Sequence, residues 1–377
     1  MTATANGPRV ALVHDWLTGM RGGEKVLEAV AALYPDATLF TLVHMPGSVS
    51  PSLERLSPRA SLLSALPLAG RIYRHLLPLF PFAVEQFDLD GFDLIVSTSH
   101  CAVKSVVKPG KALHVCYCHT PMRYVWDQRD AYFGPARLGT AGAAAMLPVL
   151  AWLARWDAST AHRVDRYLAN SQHVARRIRR YYNRRSAVVY PPVDTDFYCP
   201  DATVPSATAL VVSALAPYKR VDLAIEGCRL AGVPLRIVGQ GPEELRLRHL
   251  AGPEVDFLGP LSDEAIRACY REAGVVLLPG EEDFGIVPVE AQACGRPVVA
   301  LGRGGALETV VDGVTGVLVP SETPEAMAAG VRAALGTAFD SAAIRRHAEQ
   351  FSRGRFCESF RTLIAETMGA PAGEASW

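Results

Sequence analysis

The chain has 377 residues, which is longer than one hydrophobic core usually grows, so we expect two domains. Apolar residues make up 49% and charged residues 20% of the chain, a composition that excludes an intrinsically disordered protein. Lysine plus arginine equals aspartate plus glutamate, at 38 each, so no global field directs the protein to nucleic acid and no nucleic-acid partner is expected.

The first half of the chain alternates strand-like and helix-like segments. An apolar run at 9–16 leads through a glycine-containing turn into a helical pattern at 26–34, which opens a βα unit. Further strands are predicted at 38–43, 93–98, 113–118 and 166–170. Ser171 is placed to cap the helix that follows the last of them.

Residues 190–208 interrupt this alternation. They are rich in proline and turn-forming residues and have no hydrophobic period, so we interpret them as the interdomain linker. Alternation then restarts, and strands are predicted at 209–215, 234–241, 255–259, 274–280, 296–301 and 316–320. The predicted fold class is α/β, with two Rossmann-like, doubly wound parallel sheets in domains of about 1–195 and 196–377. Ligands bind outside the carboxyl ends of the strands in such sheets, and both sets of strand ends are expected to face one cleft.

Cysteine usage and hydropathy predict a cytoplasmic protein. Eight cysteines are scattered along a chain in which no secretion signal is recognised, a pattern typical of reduced thiols. No apolar run reaches the roughly twenty residues of a membrane span, and the nearest, 143–154, contains Pro148. No metal is expected either, because a strand would direct Cys116 and Cys118 to one face and His119 to the other.

The segment EEDFGIVPVE, at 281–290, places two carboxylates around a short apolar stretch. Pro288 is tolerated in the first turn of a helix, so the helix should begin near Gly285, with Glu282 in the preceding loop and Glu290 on its second turn. Free amides near Phe284, Gly285, Ile286 and Val287 would then receive a phosphate oxygen or a hydroxyl. A carboxylate accepts two hydrogen bonds and so suits a vicinal diol. The pattern favours a sugar nucleotide as ligand, and it requires that neither acid be held by a fixed cation of the protein.

These residues carry a resemblance to a known family. Glu282, Phe284, Gly285 and Glu290 match the E-x-F-G-x-x-x-x-E pattern of family 4 retaining glycosyltransferases, which have the two-domain GT-B fold. Segments 20–25, 119–127, 216–226, 290–299 and 302–316 resemble those of bacterial O-antigen and exopolysaccharide mannosyltransferases in this family. The resemblance implies an N-terminal acceptor domain, a C-terminal nucleotide-sugar domain, and a last helix, about 355–368, that returns to the N-terminal domain.

The resemblance also implies roles for single residues. Glu290 would bind the ribose, Glu282 the transferred sugar, and Lys219 the diphosphate, in place of a metal. His119 would lie near the donor sugar as a catalytic residue, together with Glu282 and Lys219. The other expected donor contacts are Gly22, Gly23, Arg220, Leu261 and the segment from Phe284 to Val287; the expected acceptor-side residues are Arg123, Tyr124 and Trp126. Ala214 stands where the family has an arginine, so a second cation would have to come from Arg220, Arg303 or Arg123.

The implied function is retaining transfer of a hexose, with mannose from GDP-mannose favoured, to a glycan or polyprenyl-linked acceptor in cell-surface polysaccharide assembly. No cofactor is expected. A UDP-sugar donor and a non-catalytic sugar-nucleotide-binding relative are the alternatives, and Ala214 is what favours the second. The segment 61–82, which mixes leucines and phenylalanines with basic residues, is typical of a core helix. In this family such a segment often meets a membrane or a lipid-linked acceptor, and the resemblance therefore adds peripheral contact with the inner face of the plasma membrane as an alternative. A nicotinamide oxidoreductase is excluded, because no strand is followed by G-x-G-x-x-G.

Overall fold

The computed structural model describes residues 8–369. Within this range the chain divides into two compact units. The first unit runs to Pro192 and takes the chain up again from Phe356, whereas the second unit is Val193–Arg355.

The first unit is built on a parallel sheet. Its described strands, numbered in chain order, are β1 Val10–Leu17, β2 Thr38–His44, β3 Arg59–Ala60, β4 Leu94–Ser99, β5 Leu113–Cys118, β6 Arg166–Ala169 and β7 Ser186–Val188. Within residues 8–369 they form one seven-stranded sheet in the order β3-β2-β1-β4-β5-β6-β7. Its helices are α1 Gly22–Ala31, α2 Pro51–Glu54, α3 Ala69–Ile72, α4 Phe80–Glu85, α5 Arg129–Phe133, α6 Pro135–Ser159 and α7 Gln172–Tyr182. The short strands β3 and β7, at the two edges, were not predicted.

Both faces of this sheet are covered, as parallel sheets require. Successive residues of β1 alternate between two cores: Ala11 and Val13 face one, whereas Val10 and Leu12 face the other. The second core also contains Phe356 and Phe360 from the last helix, α15 Arg353–Gly369. From Phe356 onward this helix therefore belongs to the first unit, as predicted for the last helix of the fold.

The second unit repeats the architecture. Its described strands are β8 Ala209–Val212, β9 Leu235–Val238, β10 Val255–Gly259, β11 Val275–Leu278, β12 Val298–Leu301 and β13 Gly316–Val319, joined within residues 8–369 in the parallel order β10-β9-β8-β11-β12-β13. Its helices are α8 Val221–Ala231, α9 Glu244–Leu250, α10 Asp263–Glu272, α11 Ile286–Ala293, α12 Ala306–Thr309, α13 Pro324–Gly336 and α14 Ser341–Glu349. Strand order reverses between β8 and β11, which is where doubly wound sheets bind ligands. The α/β prediction with two Rossmann-like sheets is confirmed.

The segment interpreted as a linker is largely an ordered part of the second unit. Val193 and Tyr198 are each 2% exposed. Arg345 donates hydrogen bonds to the carbonyl oxygens of Thr195 (3.2 Å) and Tyr198 (3.3 Å), and Arg271 donates to that of Cys199 (2.7 Å). This proline-rich segment shows no hydrophobic period, because its backbone carbonyl groups are hydrogen-bonded to distant arginine side chains and not within a regular helix or strand.

The apolar stretch around Pro148 is longer in the structure than the sequence suggested. Helix α6 and the 3-10 turn that follows it give one helical segment in the described range, Leu138–Arg163, that could cross a membrane by length and mean hydropathy alone. Only 17% of the most apolar part of this segment is buried. Pro148 is accommodated within α6. Contrary to the expectation from sequence, it does not shorten the helix.

Candidate functional site

Helix α11 in the second unit begins where the sequence predicted. Gly285 caps it with a φ of 89°, a backbone conformation that favours glycine, and Ile286 is its first residue. Phe284 is 3% exposed and packs edge-on against Phe351, with ring centroids 5.4 Å apart. Ile286 and Val287, which are half-buried, form the start of the helix, and the positive end of the helix dipole lies at this end of α11, after β11.

A second glycine turn supports the loop before α11. The Gly305 amide donates to the Glu282 carbonyl oxygen at 2.8 Å. A Cβ atom added at Gly305 would lie 2.3 Å from the Phe284 Cα atom, and one added at Gly304 would lie 2.4 Å from the Glu282 carbonyl oxygen. The double glycine of the 302–316 segment is thus required for two loops to touch through their backbones.

The Glu282 carboxylate forms an ion pair with the Lys219 ammonium group. This differs from the expectation that no protein cation would hold Glu282. The cation concerned is the predicted diphosphate ligand, and the two side chains are 18% and 21% exposed, so the pair lies at the edge of the unit and is not buried in its core. Two expected donor contacts that are far apart in sequence are therefore side by side, and a bound diphosphate would have to share or displace the carboxylate.

Glu290 lies deeper in the second unit. It is 7% exposed, and its Oε2 accepts a hydrogen bond from the Tyr270 hydroxyl at 2.9 Å. Tyr270, on α10, is fully buried. Sequence reasoning missed Tyr270, because nothing in the period of α10 distinguishes it from an ordinary core residue.

The arginines proposed as a second cation are engaged elsewhere. Arg220 bonds the Asp222 carboxylate and donates to Glu322 at 2.9 Å; the hydrogen bond with Asp222 is the main reason why its pKa is raised. Arg303 lies 3.5 Å from the same Glu322 carboxylate. Arg220 thus forms ion pairs within the second unit, and its donor contact stays a prediction.

Leu261, the predicted base contact, is half-buried in the turn between β10 and α10.

In the first unit, α1 begins at Gly22, as the double glycine suggested. A Cβ atom added at Gly23 would lie 3.6 Å from His14 Cε1 and 3.7 Å from His119 Nε2. The predicted histidine and the predicted glycine turn are therefore neighbours. Glu24, the next residue, is 3% exposed and accepts a hydrogen bond from the Arg21 amide at 3.1 Å.

Several polar residues at the same strand ends were missed by the sequence analysis. His14 Nδ1 lies 2.7 Å from Thr98 Oγ1, and its Nε2 lies 3.9 Å from Glu24. Burial would raise the pKa of Glu24, but the interaction with the nearby His14 ring outweighs burial and lowers it. His100 is held in its neutral form, because burial and then the charge of His14 lower its pKa well below the usual value. His14 and Thr98 lie near the carboxyl ends of predicted strands and His100 follows one, and this position was the signal that could have found them.

Asp15 anchors the turn that carries His100. Its fully buried carboxylate accepts hydrogen bonds from consecutive backbone amides, 2.7–3.0 Å long, donated by His100, Cys101, Ala102 and Val103. These bonds fix the loop after β4 at the carboxyl edge of the sheet.

The predicted acceptor-side residues fall into two groups. Arg123 is half-buried. Tyr124 is only 8% exposed and packs against Tyr132, with ring centroids 4.7 Å apart. The Trp126 indole donates to Asp157 Oδ2 at 2.7 Å and stacks on Tyr181 at 4.6 Å. Tyr124 and Trp126 therefore anchor the 119–127 segment to the core, and their expected contact with an acceptor stays a prediction.

The cysteines next to His119 are core residues. Cys116 and Cys118 pack with Tyr167 and Ile178 in an apolar cluster. Among the residues that the structure describes, no group of three or more histidine, cysteine, aspartate or glutamate side chains is arranged to hold a metal ion.

Comparison with known families assigns each half of the chain. Residues 20–197 match the family described as Glycosyltransferase Family 4, and residues 202–351 match that described as Glycosyl transferases group 1. Each half of the chain thus resembles a glycosyltransferase domain, the first of the family 4 type and the second of the group 1 type, as the motifs implied.

The relatives in sequence carry one recurring name. The chain is 36% identical to D-inositol 3-phosphate glycosyltransferase of Geodermatophilus obscurus over 248 residues, which cover 56% of this chain and 55% of the relative. It is 34% identical to the protein of the same name from Mycolicibacterium gilvum over 216 residues, which cover 50% and 49% of the two chains. The chain therefore spans about half the length of the curated relatives it matches.

Solved structures extend the likeness to nearly the whole chain. HepE of Anabaena, in complex with UDP and glucose, superposes with a TM-score of 0.69 at 21% identity, covering 94% of this chain and 99% of HepE. Sucrose-phosphate synthase of Thermosynechococcus elongatus gives 0.66 at 19% identity, covering 96% and 100%. At such identities the likeness shows the fold alone, and the predicted GT-B fold is confirmed.

Proposed function

We propose that this protein is a nucleotide-sugar-dependent glycosyltransferase that moves a hexose to a hydroxyl acceptor with retention of configuration. The observation that carries the proposal is the arrangement around α11: Glu282, Lys219 and Glu290 gather at one helix N-terminus whose cap, Gly285, leaves its backbone open to close approach. Such a set fits the hydroxyls and phosphates of one donor molecule. The family matches of both halves support the same class of reaction.

In this mechanism the second unit holds the donor. The Glu290 carboxylate accepts from the ribose, and the α11 amides with Lys219 bind the diphosphate. As the glycosidic bond breaks, negative charge builds on the departing diphosphate, and the Lys219 ammonium group stabilises it without a metal. Once the phosphate has drawn Lys219 away, Glu282 accepts from the hydroxyls of the transferred sugar.

The first unit would supply the acceptor side. His119, Arg123 and Trp126 are partly exposed, and His119 lies against Gly23 at the start of α1. The acceptor hydroxyl attacks from the face that the leaving group vacates, and a phosphate oxygen takes its proton, so no protein nucleophile is needed. Orientation and charge stabilisation then supply most of the rate enhancement.

The donor and acceptor are the finer part of the proposal. Mannose from GDP-mannose is the donor that the sequence resemblance favours, with a glycan or polyprenyl-linked acceptor in cell-surface polysaccharide assembly. UDP-sugars are the second candidate, because solved structures of this fold are complexes with UDP and UDP-glucose. The names of the sequence relatives add D-inositol 3-phosphate as an acceptor to test.

A donor screen tests the proposal. Purified protein is mixed with GDP-mannose, GDP-fucose, UDP-glucose or UDP-N-acetylglucosamine, and thermal shift and slow donor hydrolysis are measured with and without a chelator. We expect one nucleotide class to raise the melting temperature and to be hydrolysed with the chelator present. Stabilisation by UDP-sugars alone would contradict the mannose assignment, and stabilisation without turnover on any acceptor would favour the non-catalytic alternative.

We further propose that the protein works at the cytoplasmic membrane surface. Residues 55–84 and α6 carry exposed apolar side chains, among them Leu62 (77% exposed), Phe82 (65%), Leu147 (50%) and Trp152 (47%). Both segments pack on the same core of the first unit, and residues 55–84 and 135–156 contain arginines and no acidic residue. Apolar side chains beside unopposed positive charge suit an anionic lipid surface.

Vesicle flotation tests this localisation. We expect the protein to float with phosphatidylglycerol vesicles and not with phosphatidylcholine vesicles, and Leu147→Glu with Trp152→Glu to weaken flotation at least about fivefold, because each places a charge on the lipid-facing side. Leu245→Glu, at a residue of the second unit that is 70% exposed, is the control. Equal flotation of both variants would contradict the proposal, and resistance to carbonate extraction would indicate a membrane span instead.

A further inference from the structure

Helix α10 carries one side chain into the interior of the second unit. Ser262 caps the helix by accepting a hydrogen bond from the Ala265 amide at 3.3 Å, and the acidic residues Asp263, Glu264 and Glu272 are exposed. Tyr270, in the last turn, is its buried residue. A phenol that is fully buried must find a hydrogen-bond partner, and the partner of Tyr270 is the Glu290 carboxylate, 2.9 Å away.

The position of this phenol is fixed from several sides. The Tyr198 ring packs edge-on against the Tyr270 ring, with centroids 5.8 Å apart. Arg267 and Arg271 of α10 donate to the carbonyl oxygens of Phe197 (3.1 Å) and Cys199 (2.7 Å), the residues on either side of Tyr198. The α10 backbone is therefore tied to the 197–199 segment, and Tyr270 is held against Glu290 by contacts that its own hydroxyl does not make.

The Tyr270 hydroxyl is suited to act as a hydrogen-bond donor, because it does not readily lose its proton. Burial, followed by the charge of Glu290, raises the pKa of Tyr270 well above its usual value. The hydroxyl therefore keeps its proton at neutral pH, and it donates to a carboxylate that can only accept when ionised. One carboxylate oxygen is thereby held in place, and this fixes the plane in which the other oxygen lies.

We propose that Tyr270 is a positioning residue that fixes the Glu290 carboxylate so that it recognises the hydroxyl pair of a ribonucleoside diphosphate. This inference rests on the proposed function, since it assigns the ribose to Glu290. A diol is bound through both hydroxyls only when the carboxylate is held in one orientation, and a carboxylate that is already oriented loses less conformational freedom on binding. Without the phenol, Glu290 would retain its charge but lose its selectivity for ribose over deoxyribose.

Nucleotide binding by the full chain tests the inference. Calorimetry is run with UDP and GDP and with their 2′-deoxy counterparts, on the wild type and on Tyr270→Phe. We expect the wild type to prefer the ribonucleotide about tenfold, the discrimination that one or two well-placed hydrogen bonds provide, and the variant to prefer it about twofold or less. Inorganic diphosphate, which has no ribose, should bind the two proteins equally.

Tyr167→Phe is the matched control. Tyr167 is 1% exposed in the first unit, and its hydroxyl likewise donates a hydrogen bond, to the Ala161 carbonyl oxygen at 3.1 Å. It should lose stability in a thermal melt to a similar degree and keep the ribose preference.

Each outcome separates this inference from the function on which it rests. If the wild type binds neither UDP nor GDP, the proposed function is wrong and the role of Tyr270 falls with it. If the wild type binds them but does not discriminate against the deoxynucleotides, the inference is wrong while the function stands; this measurement needs no variant and holds even if Tyr270→Phe does not fold. A Tyr270→Phe protein that keeps the full tenfold preference also overturns it.

Discussion

Lys219 and Glu282 illustrate how single residues define the site in the second unit. Each side chain is about one-fifth exposed, and in the ligand-free protein each neutralises the other. An ion pair at such exposure contributes little to stability, about 0–1 kcal/mol, so its disruption by a diphosphate would cost little. The pair keeps the lysine next to α11, where a leaving diphosphate would develop charge.

The residue-scale prediction concerns Lys219→Met. Removal of the ammonium group should lower kcat for donor turnover about 100-fold, because one preorganised positive contact to the developing charge is lost. The readout is the initial rate at saturating donor, by release of nucleoside diphosphate. Lys111→Met, at an exposed lysine of the first unit, should leave the rate unchanged. Wild-type kcat in Lys219→Met would contradict the diphosphate role.

At the scale of elements, α11 depends on the glycine turn beside it. Gly305 donates to Glu282 and approaches Phe284 so closely that no side chain fits between them. Lys219 precedes α8, Glu282 precedes α11 and the glycine turn precedes α12, so loops that follow different strands build one site. The site is consequently sensitive to how these loops touch and not only to the residues that would contact a ligand.

Gly305→Ala is the prediction at this scale. The new Cβ would lie 2.3 Å from backbone that cannot move without displacing the loop, so we expect destabilisation of about 1–3 kcal/mol together with weaker nucleotide binding. Chemical denaturation and calorimetry measure the two effects. Gly336→Ala, in α13 where an added Cβ meets nothing within 4 Å, should be neutral or slightly stabilising. Unchanged stability of Gly305→Ala would show that the loops are not packed as described.

At the scale of the whole molecule, buried histidines couple folding to pH. His114 on β5 is fully buried, with its ring nitrogens 2.7 Å from Ser97 Oγ and 3.1 Å from the Arg163 carbonyl oxygen. Burial is the main cause that lowers the pKa of His114 to about 4. At mildly acidic pH the His114 side chain is therefore protonated in the unfolded chain but neutral in the folded protein.

Because of His114, the folded protein is expected to become less stable as the pH falls. The stability that neutral His114 provides is fully present above the ordinary histidine pKa of about 6.5, and it is lost as pH falls from there to about 4. We expect this residue alone to lower the free energy of unfolding by about 3 kcal/mol over that range. Urea denaturation at pH 7 and pH 4.5 should show a shallower pH dependence for His114→Gln than for the wild type. Parallel pH profiles of the two proteins would contradict the prediction.

Much of the fold could be predicted because its signals are local. The runs that became β1, β4 and β5 are almost continuously apolar, which is how strands covered on both faces appear in sequence. Ser171 caps α7 as predicted, accepting from the Val174 amide at 3.0 Å, and Gly285 caps α11. The edge strands β3 and β7 are too short to give a period, and the packing of residues 193–199 depends on arginines 70 or more residues away.

Some features of the candidate site could likewise be predicted from the sequence, and others could not. Sequence alone determined that Glu282, Gly285 and Glu290 lie around one helix start, because helix capping and period depend on neighbouring residues. Only the tertiary structure decided that Lys219 pairs with Glu282, that Arg220 is held by Asp222 and Glu322, and that Tyr270 fixes Glu290. The physical reason is that burial, ion pairing and side-chain hydrogen bonds are made between segments that chain folding brings together, and one-dimensional order does not encode those distances.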